Sequence, residues 1–161
     1  MRITLAGGGT DILWYAKTRG GAWISAAIDR YVYCIVKQYE EKNFIKVSDG
    51  ETIVITDDYR TIPNSIIREC MSMTGITSGI EITTMSDSAG KSGIGGSGAF
   101  EVGLLHALYT YKKEPISQIE LAEKAAEIEL KKLEVPGGPQ DMYITALGGI
   151  QYFTLNTQEK I

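Results

Sequence analysis

Histidine occurs once and cysteine twice in these 161 residues, and neither is clustered at metal-ligand spacing. A zinc centre therefore lacks a ligand set. Cys34 lies in the apolar run YVYCIVKQY and Cys70 in SIIRECMSM. Each reads as a small buried hydrophobe of a reducing compartment, not as half of a disulfide. Proline is scarce at four residues, and no repeat or low-complexity linker divides the chain. One domain is expected. Basic charge is short as well: 16 Lys and Arg against 20 Asp and Glu leave a net charge of -4. With no basic block, nucleic acid is not an expected partner. The opening MRITLAGGGTDI lacks the apolar stretch of a signal peptide, and no run is long enough to span a membrane. The expectation is a cytoplasmic protein with no membrane partner.

Glycine, by contrast, is plentiful at 18 residues, and six of those fall in SDSAGKSGIGGSGAFEVGLLHALY, residues 86–109. The elements around this stretch are legible. RITLA (2–6) reads as a strand running into three glycines, and residues 20–39 as two strands around Asp29 and Arg30. FIKVSD and TIVITDD form an expected hairpin. NSIIRECMSMTG reads as a helix stopped by Gly75, and GIEITTMSD (79–87) as a strand. A helix from about residue 96 to 113 follows the glycines. A second, 117–133, opens on the capping-box pair Ser117 and Glu120 and aligns Leu121, Ala125, Ile128 and Lys132 on one face. A short helix with Asp141 near its start and a closing strand, GGIQYFTLN, complete the chain. Strands first and paired helices later predict an α+β fold.

Three phosphate-binding readings compete for the glycine loop. Gly90-Lys91-Ser92 suggests a P-loop, but the required first glycine position holds Met85. Gly93, Gly95 and Gly98 match the dinucleotide fingerprint, yet a strand does not end at Gly93 and the next element is another helix. The third reading fits. A long loop wraps a polyphosphate and delivers it to the N-terminus of helix 96–113, where free backbone N–H groups and the helix dipole bind anions. Ser92 and Ser97 could donate to phosphate or ligate a metal.

A polyphosphate implies a divalent metal held by hard oxygen ligands. Helix 117–133 offers Glu120, Glu123, Glu127 and Glu129, most of which belong to a solvated face. Asp141, between PGGPQ and MYITALGG, reads either as a first-turn aspartate or as a carboxylate carried into a cleft. Thr10-Asp11 after three glycines reads as a simple turn or as a binding loop. Ile53–Ile55 and Ile66–Met73 are apolar candidates for an adenine pocket.

RITLAGGGTDILWY, SGIGGSGAF and PGGPQDMY, in this order, resemble the GHMP small-molecule kinases. The likeness runs from Arg2 to about Phe153 and is strongest to the branch that phosphorylates heptose 7-phosphate at the anomeric hydroxyl. It implies a ribosomal protein S5 domain 2-like α+β fold, with residues 1–161 forming the N-terminal ATP-binding domain. It places Lys91, Ser92, Gly93, Ile94, Gly95, Gly96, Ser97 and Gly98 on the ATP-phosphate loop. Glu129, with Ser97, falls on the magnesium site. Asp141 falls on the catalytic aspartate and Arg2 on the basic residue beside it. Asp11, with Gly8, Gly9 and Thr10, falls where sugar hydroxyls are bound. The implied cofactors are ATP and Mg2+, and the implied partner is a small sugar phosphate.

The departures are specific. The family's consecutive loop serines become Gly96-Ser97-Gly98, so a metal or phosphate contact is expected to be lost or handed to backbone N–H. Its usual proline and glycine before the loop become Ala89 and Lys91. These kinases run to about twice this length, with a second α+β domain. A half-length chain would expose the face meant for that C-terminal domain, so weak activity or homo-oligomer formation is expected. Two alternatives follow: a non-catalytic half-domain that binds nucleotide or a partner, and a fucose- or galactose-type kinase.

Overall fold

β-Branched residues on alternate positions and glycine stops give most elements the ends that the sequence predicts. The protein is represented by a computed structural model that describes residues 1–50, 52–88 and 92–161. In chain order the described elements are β1 (Arg2–Ala6), α1 (Leu13–Arg19), β2 (Gly21–Ala27), β3 (Val32–Gln38), β4 (Ile45–Ser48), β5 (Ile53–Thr56), α2 (Ser65–Thr74), β6 (Ile80–Ser86), α3 (Gly96–Lys112), α4 (Gln118–Glu127), α5 (Gln140–Leu147) and β7 (Ile150–Leu155). The architecture is α+β, as expected.

Two sheets carry the helices. β1, β2 and β7 form an antiparallel sheet in the order β1-β2-β7. The other is mixed, ordered β3-β6-β4-β5, with β6 inserted parallel to β4 and antiparallel to β3. In β6, Ile80, Ile82 and Thr84 point inward while Glu81 and Thr83 alternate outward. The pleat thus gives the strand one buried face. Against that face α3 lays Leu104, Leu105 and Leu108, and α2 adds Ile67, Cys70 and Met71. A second cluster joins Trp23 of β2 and Phe153 of β7 to Tyr143 and Ile144 of α5 and Ala16 of α1. The Trp23 and Phe153 rings lie 5.4 Å apart. Both cysteines are free, and burial pushes the Cys34 thiol up to about 11.

Local capping follows chemistry visible in the sequence. Asn64 accepts from the Ile67 N–H to start α2, and Gly75, left-handed, ends it. Ser117 and Glu120 form both halves of the capping box of α4. Two elements differ from expectation. α1 was not predicted; it is a seven-residue helix anchored by buried Ala16. The long helix 117–133 is not continuous either. α4 ends at Glu127 and a π-helical turn, Ile128–Lys132, follows it, with the Leu133 N–H donating to the Ile128 carbonyl at 2.9 Å. The wider turn changes the direction in which Glu129 leaves the helix.

Outside the core, the free face of the three-stranded sheet is apolar, with Ile3, Leu5, Ile150 and Tyr152 all exposed. No helix among the described residues is long and apolar enough to cross a membrane.

Leu105 makes the sharpest test of the core, being wholly buried between α3 and the mixed sheet. Leu105→Ala is expected to lower unfolding free energy by about 3 kcal/mol, read from urea unfolding of variant and wild type.

Candidate functional site

The site is built on the first turn of α3. Gly95 is its N-cap, in a left-handed conformation with φ of 74°, and no side chain caps it. The Ala99 N–H donates to the Gly95 carbonyl at 3.0 Å and closes the first turn. The N–H groups ahead of it have no acceptor within the helix. No acidic residue stands in that turn, so the positive pole of the helix dipole is left for an external anion.

Asp141, in the first turn of α5, lies directly over this helix end. The approach is so close that side chains at two positions would prevent it. A Cβ on Gly95 would stand 3.0 Å from Asp141 Oδ2, and one on Gly98 would stand 2.7 Å from Asp141 Cβ. Positive φ and contact thus both demand glycine at 95, and packing demands it at 98. Arg2 locks the arrangement. Its Nε donates to Asp141 Oδ1 at 2.6 Å, its Nη1 to the Gly93 carbonyl at 3.0 Å, and its main-chain N–H to the Ile94 carbonyl at 3.0 Å. The start of β1, the loop and α5 are thereby stitched together by one residue.

These groups open into a cleft of about 560 Å³, a size suited to a small ligand. Ser92, Gly93, Gly95, Gly96, Ser97, Arg2 and Asp141 line it, and Val32, Met85, Phe100 and Asn64 extend it toward the mixed sheet. Around Gly93 and Gly96 no atom falls within 4 Å of a Cβ position, so the loop offers open backbone to a ligand. Ile94 and Gly98 do not line the cleft. The Ile94 carbonyl is occupied by Arg2, and Gly98 is buried under Asp141 and Met142. Lys91 lies outside the described residues. The apolar candidates for a base pocket also move. Ile53 and Ile55 are exposed on an edge strand, and Ile66–Met73 belong to α2, whose Ile67, Cys70 and Met71 are in the core. Val32, Met85 and Phe100 supply the cleft's apolar wall instead.

The glycine-rich turn after β1 holds its own shape. The Thr10 hydroxyl lies 2.8 Å from the Gly7 carbonyl and 3.0 Å from that of Ala22, and the Ala22 N–H donates to it at 3.0 Å. It ties the turn to β2, while Gly8 and Gly9 are exposed. Asp11 is buried, 1% exposed, and does not line the cleft. Its Oδ2 accepts from the Gln140 N–H at 3.4 Å and its Oδ1 from Gln140 Nε2 at 3.3 Å. Thr4 Oγ1 donates to Gln140 Oε1 at 2.8 Å, which fixes the amide so that its NH2 faces Asp11. Burial raises the Asp11 pKa, backbone donors lower it, and the Asp141 charge raises it. Gln140 is therefore the residue that joins Asp11 to the helix bearing Asp141.

Glu129 leaves the π-helical turn and faces Glu101 of α3. Burial raises the Glu129 pKa first; contact with Glu101 and with the Ser97 hydroxyl lowers it, and the Asp141 charge raises it. Glu101 is fully buried. Burial, then the Glu129 charge, pushes its pKa up to about 10. Hard oxygens from Glu129 and Ser97 suit magnesium, and Glu129 Oε2 is a buried oxygen with no hydrogen-bond partner. The residues present thus fit a hard cation. Among the described residues no group of three or more His, Cys, Asp or Glu is placed to hold a metal, so water or phosphate would have to complete the shell. Glu101 and Gln140 escaped the sequence reading. Glu101 did leave a signal, as the one acidic residue in the helix GSGAFEVGLLHALYTYK.

Comparison with known proteins gives the family and the fold. Residues 61–149 match the family of GHMP kinases N terminal domain. The chain belongs to that family, and its α+β fold is the ribosomal protein S5 domain 2-like fold of those kinases. It is 30% identical, over 179 residues, to the D-glycero-alpha-D-manno-heptose 7-phosphate kinase of Campylobacter jejuni, covering 100% of this chain and 50% of that protein. A solved D-glycero-D-manno-heptose 1-phosphate kinase from Bacteroides thetaiotaomicron superposes with a TM-score of 0.89 at 26% identity, covering 99% of this chain and 56% of that one. A solved sugar kinase of C. jejuni, described as putative in its own name, superposes at 0.80 with 27% identity, over 99% and 52%. The chain spans about half the length of these relatives.

An acid whose pKa is raised by folding stabilises the fold while it is protonated. For Glu101 that contribution is full below the ordinary value of 4.5 and is lost progressively as pH climbs toward about 10. With a chelator present, the melting temperature is expected to fall from pH 5.5 to pH 9, and Glu101→Gln to flatten that slope. Thermal unfolding across the pH series checks it; an unchanged slope would show that Glu101 carries no such proton.

Proposed function

We propose that this chain is the nucleotide- and acceptor-binding part of a sugar kinase that uses ATP and Mg2+. The reaction moves the terminal phosphoryl group of ATP to a sugar hydroxyl. The observation that carries the reading is one juxtaposition: Asp141, held by Arg2, stands against the uncapped, glycine-opened N-terminus of α3, inside one cleft.

Each residue then has a physical task. The backbone N–H groups of Gly96 and Ser97 receive phosphate oxygens at the positive pole of α3. Glu129 and the Ser97 hydroxyl would hold magnesium, which supplies charge neutralisation to the phosphates when bound. Arg2 keeps Asp141 in one orientation and leaves Oδ2 over the helix end. Asp141 accepts the proton of the acceptor hydroxyl as its oxygen forms the new bond to phosphorus. The bond from phosphorus to the bridging oxygen breaks on the opposite side, and ADP departs with that electron pair. Such transfers depend on positioning and electrostatics more than on covalent chemistry. Asp11, clamped by Gln140, shapes the acceptor side from beneath. Residues 1–161 act as the N-terminal domain of the family, completed by a C-terminal domain or a second copy against the exposed apolar sheet face.

The acceptor proposed is a heptose 7-phosphate, phosphorylated at the anomeric hydroxyl. The relatives at 30% and 26% identity support a heptose phosphate, the 7-phosphate standing in the name of the first alone, and the anomeric position rests on the resemblance to that branch of the family. Phosphoryl transfer to a panel of sugars and sugar phosphates ranks the acceptors, and preference for an unphosphorylated fucose or galactose would replace the heptose assignment. Asp141→Asn is expected to cut turnover about a hundredfold or more while nucleotide affinity changes less than about threefold. The measurements are steady-state kinetics and titration calorimetry. A wild-type chain that binds nucleotide yet transfers phosphate to no acceptor, even with the C-terminal half supplied, would make it a binding module instead.

A further inference from the structure

α3 carries one carboxylate that its apolar surroundings do not explain. Glu101 is wholly buried, at 0% exposure, and its oxygens find no N–H or hydroxyl donor among the described residues; the polar group they meet is the Glu129 carboxylate. Glu129 Oε2, facing it from the π-helical turn, is buried and unpartnered too. Among the described residues no Lys or Arg forms an ion pair with either glutamate. The further charge that acts on both is also negative, that of Asp141. Buried carboxylates without a counter-charge are costly, so something absent from the polypeptide must balance them.

Two candidates exist, a shared proton and a cation. One proton placed between the carboxylates satisfies an oxygen on each and leaves the third bare. A divalent cation satisfies all three at once, because Glu101 can ligate through both oxygens and Glu129 through one. The pair does not itself line the cleft; Ser97 is its link to it. The Ser97 hydroxyl, which contacts Glu129, is exposed in the cleft, so a hydrated ion has an entry path beside the α3 N-terminus.

We propose that Glu101 and Glu129 together form a two-carboxylate site for a hard divalent cation, with Glu101 as an additional ligand supplied by α3. The site holds the ion before any nucleotide arrives. The inference deepens the kinase reading and rests on its placement of Glu129 toward the metal. Its consequence is an order of binding: cation first, then phosphate.

Mn2+ titration followed by electron paramagnetic resonance, without nucleotide, tests this directly. The wild-type protein should remove one Mn2+ per chain from solution, with Mg2+ competing, and its melting temperature should rise on Mn2+ addition. Glu101→Gln should weaken Mn2+ binding at least tenfold and abolish the thermal shift, with its circular dichroism unchanged. If that variant does not fold, Glu101→Met and the wild-type titration carry the test. Wild-type protein that takes up no Mn2+ until nucleotide is added would overturn the proposal. Equal binding by Glu101→Gln would also overturn it and leave the shared proton as the explanation. Metal-free ATP binding, measured on the same samples, separates the two levels. ATP bound without prior Mn2+ uptake keeps the cleft reading and sinks the two-carboxylate site. No ATP binding under any condition sinks the kinase reading, whatever Mn2+ does.

Discussion

Asp141 can stand over the end of α3 only because positions 95 and 98 carry no Cβ. This steric allowance is the constraint on which the site depends. It brings the first turn of α5 onto the first turn of α3, and it does so without a polar side chain between them. A carboxylate is thereby held against a helix N-terminus that would favour any anion, including the carboxylate itself. Arg2 prevents that collapse by engaging Asp141 Oδ1 from the side while its backbone and guanidinium hold the loop carbonyls of Ile94 and Gly93. The positive pole stays open, with the aspartate beside it and not on it.

The charge inventory around the cleft is lopsided. Asp11, Glu101, Glu129 and Asp141 act on one another, and the ion pair with Arg2 is the one such pair that any of them makes among the described residues. A site so acidic is a poor host for phosphate unless a cation or protons offset the excess. The backbone helps at one end only, through the α3 N–H groups. For Asp11 the Gln140 donors offset burial, whereas Glu101 has no such donors among the described residues. On the proposed kinase reading, the same acidity that would repel a bare triphosphate would collect magnesium to receive it.

Much of the scaffold is legible in the sequence because its signals are local. The Ser117 and Glu120 capping box, the left-handed Gly75, the alternation in Ile80-Glu81-Ile82 and the glycine loop opening an apolar helix all depend on residues a few positions apart. The elements that escaped have other causes. α1 is short, so its helix owes more to Ala16 docking in the core than to its own pattern. The π-helical turn depends on how α4 packs, and its sequence, IELKK, is good α-helix. Glu101 sits in plain view, yet reading it needs its partner Glu129, 28 positions away and on another element.

Resemblance to the GHMP kinases is what marked out Arg2, Asp141 and Glu129, whereas residue types and their order determined by themselves that the chain is α+β and that helix α3 begins at a glycine-opened anion pole. Those features follow from backbone sterics and short-range pattern, which act the same wherever the segment lies. Only tertiary structure decided that Asp141 meets the pole, that Thr10 is spent on holding a turn, that Asp11 lies buried beneath Gln140, and that Glu101 confronts Glu129. Each of these is a matter of distance between segments far apart in the chain, and distance is settled when the two sheets and their helices pack.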